Sequence, residues 1–153
     1  MTLQEPAPLP SDQDLLLVLD DLATLSEYVT RNPPVFLRYS EGPRADAASS
    51  SSWDYEANVQ LPGLSATTLN PEPWWPRPAH EWVARRIHKY ADLARDPRRF
   101  PWILKGTVVG RGPDHEPLIA DVVPIAELGE PLLREAAAVY RRRFHPGRNS
   151  LDG

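Results

Sequence analysis

Two runs rich in valine, isoleucine and leucine, residues 102–109 and 118–125, constrain this chain more than any other feature. Branched side chains of this kind suit a pleated sheet. The eight residues between them, 110–117, hold Gly110, Gly112, Pro113, Asp114 and Pro117. Two strand-forming runs joined by so dense a cluster of turn formers predict a β-hairpin.

The rest of the chain is read outward from that hairpin. Residues 15–19 are wholly apolar, and periodicity leaves strand and helix start both open. Asp20 is placed to cap a helix over 21–31, where Leu22, Leu25 and Val29 recur at helical spacing and Asn32-Pro33-Pro34 ends the run. Residues 35–40 predict a strand that carries Arg38 among apolar neighbours. The serine- and alanine-rich stretch 41–52 predicts a mobile surface loop. Short strands are expected over 53–61 and 64–69, separated by a turn at Pro62-Gly63.

Four prolines within 70–78 exclude helix and central strand there and leave Trp74 and Trp75 on a stiff extended connection. Two further helices are predicted. One spans 79–94 with Val83, Ile87, Tyr90, Ala91 and Ala94 on its apolar face, and Arg85, Arg86 and Lys89 directed away from it. The other spans 129–144 with Leu132, Leu133, Ala136, Val139 and Tyr140 as its buried stripe. Strands and three helices interleave without regular alternation, which predicts a single compact α+β domain with a mostly antiparallel sheet. The domain is expected over 15–145, between a disordered proline-rich lead at 1–14 and a loose tail at 146–153.

Composition narrows the functional classes. The absence of cysteine excludes a disulfide scaffold, a thiolate zinc site and a cysteine nucleophile. A formal charge of −4 gives no general attraction for nucleic acid. No apolar run reaches the roughly 20 residues needed to cross a bilayer, and the start of the chain lacks the basic and apolar regions of a secretory signal. A soluble cytoplasmic protein, without a membrane partner, is the expectation. His80 and His88 stand eight residues apart, not at the i, i+4 spacing of a metalloprotease pair, so no metal site is expected. Thr67 occupies the second glycine position of a nucleophile elbow after Gly63-Leu64-Ser65, which removes that reading. Gly110-Arg111-Gly112 leads into a strand and cannot present a helix N-terminus to a pyrophosphate.

One constellation remains. Arg38 within a strand, Ser65 after a tight turn and Glu116 at the mouth of the hairpin can line one cleft if their strands are neighbours. The alternative is that Arg38 pairs with a carboxylate such as Asp54 or Glu56 and that Glu116 is an ordinary hairpin-turn residue. Trp74 and Trp75 are either a stacking platform or a cap over the core. Arg141, Arg142 and Arg143 either hold an acidic partner or simply end a helix.

Two resemblances bear on this. Along nearly its whole length the chain resembles an actinobacterial family catalogued as a domain of unknown function, on the stretches 37–43, 61–65, 71–75 and 109–114. On three short segments, the order Arg38, Ser65, Glu116 is similar to the arginine, serine and glutamate of the ADP-ribosyltransferase superfamily. That resemblance implies a compact α+β fold and NAD. Glu116 and Ser65 would be catalytic: Glu116 on the ribose 2′-hydroxyl, Ser65 steadying it. Arg38 would hold the phosphates or ribose, with Tyr39, Trp74 or Trp75 against the nicotinamide. The serine segment, Ser65-Ala66-Thr67, departs from that superfamily's usual hydroxyl, threonine, serine run, and Asp114 stands where a longer acid or amide is usual. The competing expectation is a non-catalytic interaction module that engages an unknown protein partner through Trp74, Trp75 and the arginine-rich helix end.

Overall fold

The computed structural model describes residues 16–48, 53–54, 59–60, 62–89 and 97–144. The expected lead and tail lie outside these residues, as do 49–52 and 90–96. In chain order the elements are β1 (Leu17–Leu19), α1 (Leu22–Arg31), β2 (Phe36–Ser40), α2 (Pro43–Ala48), β3 (Trp53–Asp54) and β4 (Val59–Gln60). They continue with β5 (Leu64–Ser65), β6 (Thr67–Thr68), α3 (Ala79–Lys89), β7 (Phe100–Arg111), β8 (Pro117–Leu128) and α4 (Glu130–Arg143).

The hairpin is present and longer than the apolar runs alone, with twelve residues in each arm. Its register shifts at Ile103/Leu104, Lys105/Thr107 and Val108/Gly110. Irregularities of this kind bend a strand and increase its twist, so β7 and β8 curl instead of lying flat. At one end β7 pairs antiparallel with β2, Leu37 opposite Ile103.

The expected single strand over 64–69 divides at Ala66. Its first half, β5, pairs with β8, Leu64 opposite Ile119. Its second half, β6, pairs with β2, Leu37 opposite Thr67. The pairing thus runs from β8 through β7 and β2 to β6 and returns through β5 to β8, closing a small ring. Gly63 permits the closure. A Cβ there would lie 2.8 Å from the Ile119 carbonyl oxygen, against backbone that cannot rotate aside.

The expected α+β domain with a mostly antiparallel sheet is present; within the six-stranded sheet β1 alone runs parallel to its neighbour, β8, Leu17 opposite Ala126. One correction concerns the helices: there are four among the described residues, the additional one being α2, inside the stretch expected to be a mobile loop. Pro43 sits at its first position, where a missing N–H costs nothing. A smaller correction moves the cap of α1 from Asp20 to Asp21, whose carboxylate accepts from the Thr24 amide at 2.9 Å and from its hydroxyl at 2.7 Å. Those bonds hold the Asp21 carboxyl below the usual range.

Each face of the sheet carries a core. Leu22, Leu25 and Val29 from α1, Val83 and Ile87 from α3, and Leu132, Ala136 and Val139 from α4 pack on one face against Leu37, Ile103 and Leu128. Inside the ring, Phe36, Ala66, Phe100, Trp102, Leu104 and Ile119 form the second. This explains why 100–104 is buried at every position without alternation: successive side chains enter different cores.

Candidate functional site

Alternation along β2 puts Arg38 and Ser40 on the face that carries Phe36. Neither is apolar, and both are largely buried, so each needs partners. Arg38 donates through Nε to Asp46 Oδ2 at 2.6 Å and through Nη2 to Asp46 Oδ1 at 3.3 Å. Its Nη1 donates to the Ser65 carbonyl at 2.7 Å and to the Ser65 hydroxyl at 3.4 Å. The Ser40 hydroxyl donates to Asp46 at 2.7 Å and accepts from Trp102 Nε1 at 3.0 Å. One carboxylate from α2 thus gathers an arginine, a serine and, through it, a core tryptophan. Arg38 does pair with a carboxylate, that of Asp46; Glu56 lies outside the described residues.

Beside this network opens a cleft of about 610 Å³. Arg38, Tyr39 and Ser65 line it together with Glu116. Three distant stretches of chain therefore meet at one hollow, because β5 and β6 cross from β2 to the start of β8. Tyr39 is almost wholly covered. Burial pushes its phenol up to about 12, so near neutrality it offers a neutral ring and hydroxyl, not a base.

Glu116 follows the hairpin turn. In that turn His115 takes the left-handed conformation, with φ 64°, and its amide donates to the Gly112 carbonyl at 2.9 Å. The Glu116 carboxylate accepts from the Asp114 amide at 2.9 Å and lies close over Gly112, so a side chain at residue 112 would have to push it aside. It is a cleft residue and a turn residue at once.

Sequence reasoning passed over several groups that share the cleft. Arg86 and Lys89, one turn apart on α3, line it together with Arg111 and Glu72. The spacing that directs Arg86 and Lys89 away from the apolar stripe was the signal available for them. Asp46 had a weaker signal, Pro43 at the start of an alanine-rich run. Arg86 also lies over the Trp82 ring, 4.8 Å from its centroid.

Trp74 and Trp75 do not line the cleft. They form an edge-to-face cluster with Trp82, at centroid distances of 5.8 Å and 5.0 Å. Trp75 donates its indole N–H to the Pro78 carbonyl at 3.2 Å, while Trp74 is 66% exposed. The terminal arginines also separate. Arg143 pairs with the buried Glu81 at 3.1 Å, and Arg142 lines a different cavity.

Among the described residues, no cluster of three histidines or carboxylates is arranged to hold a metal ion. Among the same residues, no helix is long and apolar enough to cross a membrane. Comparison with curated proteins and with solved structures finds no match in either. A family of unknown function (DUF6098) matches residues 12–150, which include every residue of the cleft, and the chain belongs to that family.

Proposed function

We propose that the cleft binds a dinucleotide of the NAD class and supports cleavage of its nicotinamide glycosidic bond, in the manner of an ADP-ribosyltransferase. The observation that carries this reading is the meeting of Arg38, Tyr39, Ser65 and Glu116 in one cleft. Its volume falls within the roughly 300–1,000 Å³ of small-molecule sites.

The lining chemistry suits such a substrate. Arg86, Lys89 and Arg111 supply cations for the phosphates. Arg38, with Asp46 and Ser65 already on its fork, is assigned to positioning Ser65 rather than to the phosphates. Glu116 meets the ribose. As the bond from ribose C1′ to the nicotinamide nitrogen breaks, its electron pair leaves with nicotinamide and positive charge grows on the ribose. A fixed carboxylate stabilises that charge more in the transition state than in the ground state. Water, or an acceptor nucleophile, then bonds to C1′. Tyr39 is the aromatic residue among those that line the cleft, and it is assigned to the nicotinamide end.

A second reading, an interaction surface for a protein partner, is favoured by Trp74, which is exposed yet held at its edge by Trp75 and Trp82 beside Arg85.

The test is thermal and chemical. Millimolar NAD is expected to raise the melting temperature and to yield nicotinamide slowly. Glu116→Gln is expected to abolish nicotinamide release and keep the thermal shift, whereas Arg86→Gln with Lys89→Gln weakens binding by about tenfold or more. No thermal shift with NAD overturns this reading and leaves the Trp74 surface.

A further inference from the structure

Trp82 and Arg86 stand four residues apart on α3. Long side chains on a helix lean back over the preceding turn, so the arginine lies across the indole, its guanidinium carbon 4.8 Å from the ring centroid. A cation at that distance is attracted by the negative face of the ring.

The ring itself is fixed. Trp82 is 2% exposed, and Trp74 and Trp75 meet it edge to face. Its indole N–H has no hydrogen-bond partner among the described residues, so what it offers its neighbours is the ring. Arg85 approaches the same ring only to 6.0 Å and does not line the cleft. Arg86 touches the ring and lines the cleft together.

The cations of the cleft differ in what they have left to give. Arg38 has spent its fork on Asp46 and Ser65. Arg111 donates to the His115 carbonyl of its own turn at 3.4 Å. Lys89 is an exposed point charge on a flexible stem. Arg86 is half-buried and makes no ion pair or hydrogen bond among the described residues. With its face against Trp82, its N–H groups remain at the guanidinium edge, where a phosphate accepts two of them at once.

We propose that Trp82 is a positioning residue of the cleft: it holds the Arg86 guanidinium as a planar fork for the ligand's pyrophosphate, and that fork, more than the summed positive charge, selects the ligand. Only the identity of the molecule that carries the phosphates rests on the dinucleotide reading above.

The experiment is titration calorimetry on the full chain with NAD and, separately, with inorganic pyrophosphate. Arg86→Lys keeps the charge and loses the fork, and is expected to weaken both ligands by about tenfold, whereas Lys89→Arg leaves both within about twofold. Trp82→Leu removes the aromatic face and is expected to weaken both by about fivefold or more; Trp82→Phe keeps a face, removes no hydrogen bond and costs about threefold or less. In an Arg86→Gln background neither Trp82 substitution causes further loss, because nothing is left for the ring to position. A residue needed only for packing would cause the same loss in both backgrounds. Should Trp82→Leu fail to fold, the Trp82→Phe cycle and Arg86→Lys carry the test. Binding by Arg86→Lys equal to the parent, or Trp82 losses that persist without Arg86, overturns the proposal and leaves the dinucleotide reading standing. Arg86-dependent binding of pyrophosphate without any response to NAD does the reverse, and no binding of either ligand overturns both.

Discussion

Arg38 and Asp46, eight residues apart, meet through two hydrogen bonds, the shorter 2.6 Å, while the same guanidinium reaches the Ser65 carbonyl at 2.7 Å. One side chain therefore joins a short surface helix to the segment that closes the ring of strands. Both partners are mostly covered, 17% and 10% exposed, so removing one leaves the other charge in poor solvent. Asp46→Ala is expected to destabilise the fold by about 3 kcal/mol, read as a lowered urea midpoint with unchanged slope. Pairing it with Arg38→Met should recover part of the loss, because the double variant buries no orphaned charge.

Ring closure makes its own prediction through two glycines. Gly63→Ala places a methyl against the Ile119 backbone, with its oxygen at 2.8 Å and its nitrogen at 2.9 Å. Gly110→Ala meets only Leu118 Cδ1 at 3.8 Å, an ordinary contact. The first is expected to cost about 1–3 kcal/mol and the second less than about 0.5 kcal/mol by denaturant unfolding. Equal effects at the two positions would contradict the close approach of residue 63 to β8.

Tyr39 gives a pH signature. Its phenol holds its proton more tightly in the folded protein, about 12 against an ordinary 10.0, because burial opposes the anion. A pKa raised by folding contributes stability below the unfolded value and loses it as pH climbs through the folded one. Unfolding free energy should therefore fall between about pH 10 and pH 12 in the parent protein. In Tyr39→Phe that part of the fall is absent, and the difference between the two curves over this window is the quantity to measure.

The parts of this fold legible in the sequence are those made by local pattern. The hairpin announces itself because β7 and β8 combine branched side chains with a dense turn. Helices α1, α3 and α4 show because Leu25 and Val29, Val83 and Ile87, or Leu132 and Ala136 recur at helical spacing. Helix α2 was hidden because its six residues, rich in alanine, are anchored by Asp46 to Arg38, a partner outside the element. The break at Ala66 was hidden for a related reason. Which half of 64–68 pairs with β2 and which with β8 is decided by strands that local sequence does not bring together.

The site divides along the same line. Arg38, Ser65 and Glu116 stood out as polar groups in apolar or turn-rich stretches, and the ring brings all three to one cleft. The carboxylate that engages Arg38 did not stand out, because Asp46 lies in a stretch whose serines and alanines suggest a loop. Trp74 and Trp75 drew notice as paired aromatics, yet they turn toward Trp82, where Arg85 and Phe144 complete an aromatic and cationic cluster.

A hoop of hydrogen-bonded strands has no loose end from which to unzip. The five residues that complete it, 64–68, hold two neighbours at once, so neither β2 nor the start of β8 can shift register without tearing the other side. Whatever molecule settles in the hollow at this seam meets walls clasped from both directions, and its shape must suit the gap, because the gap has little freedom to suit the molecule.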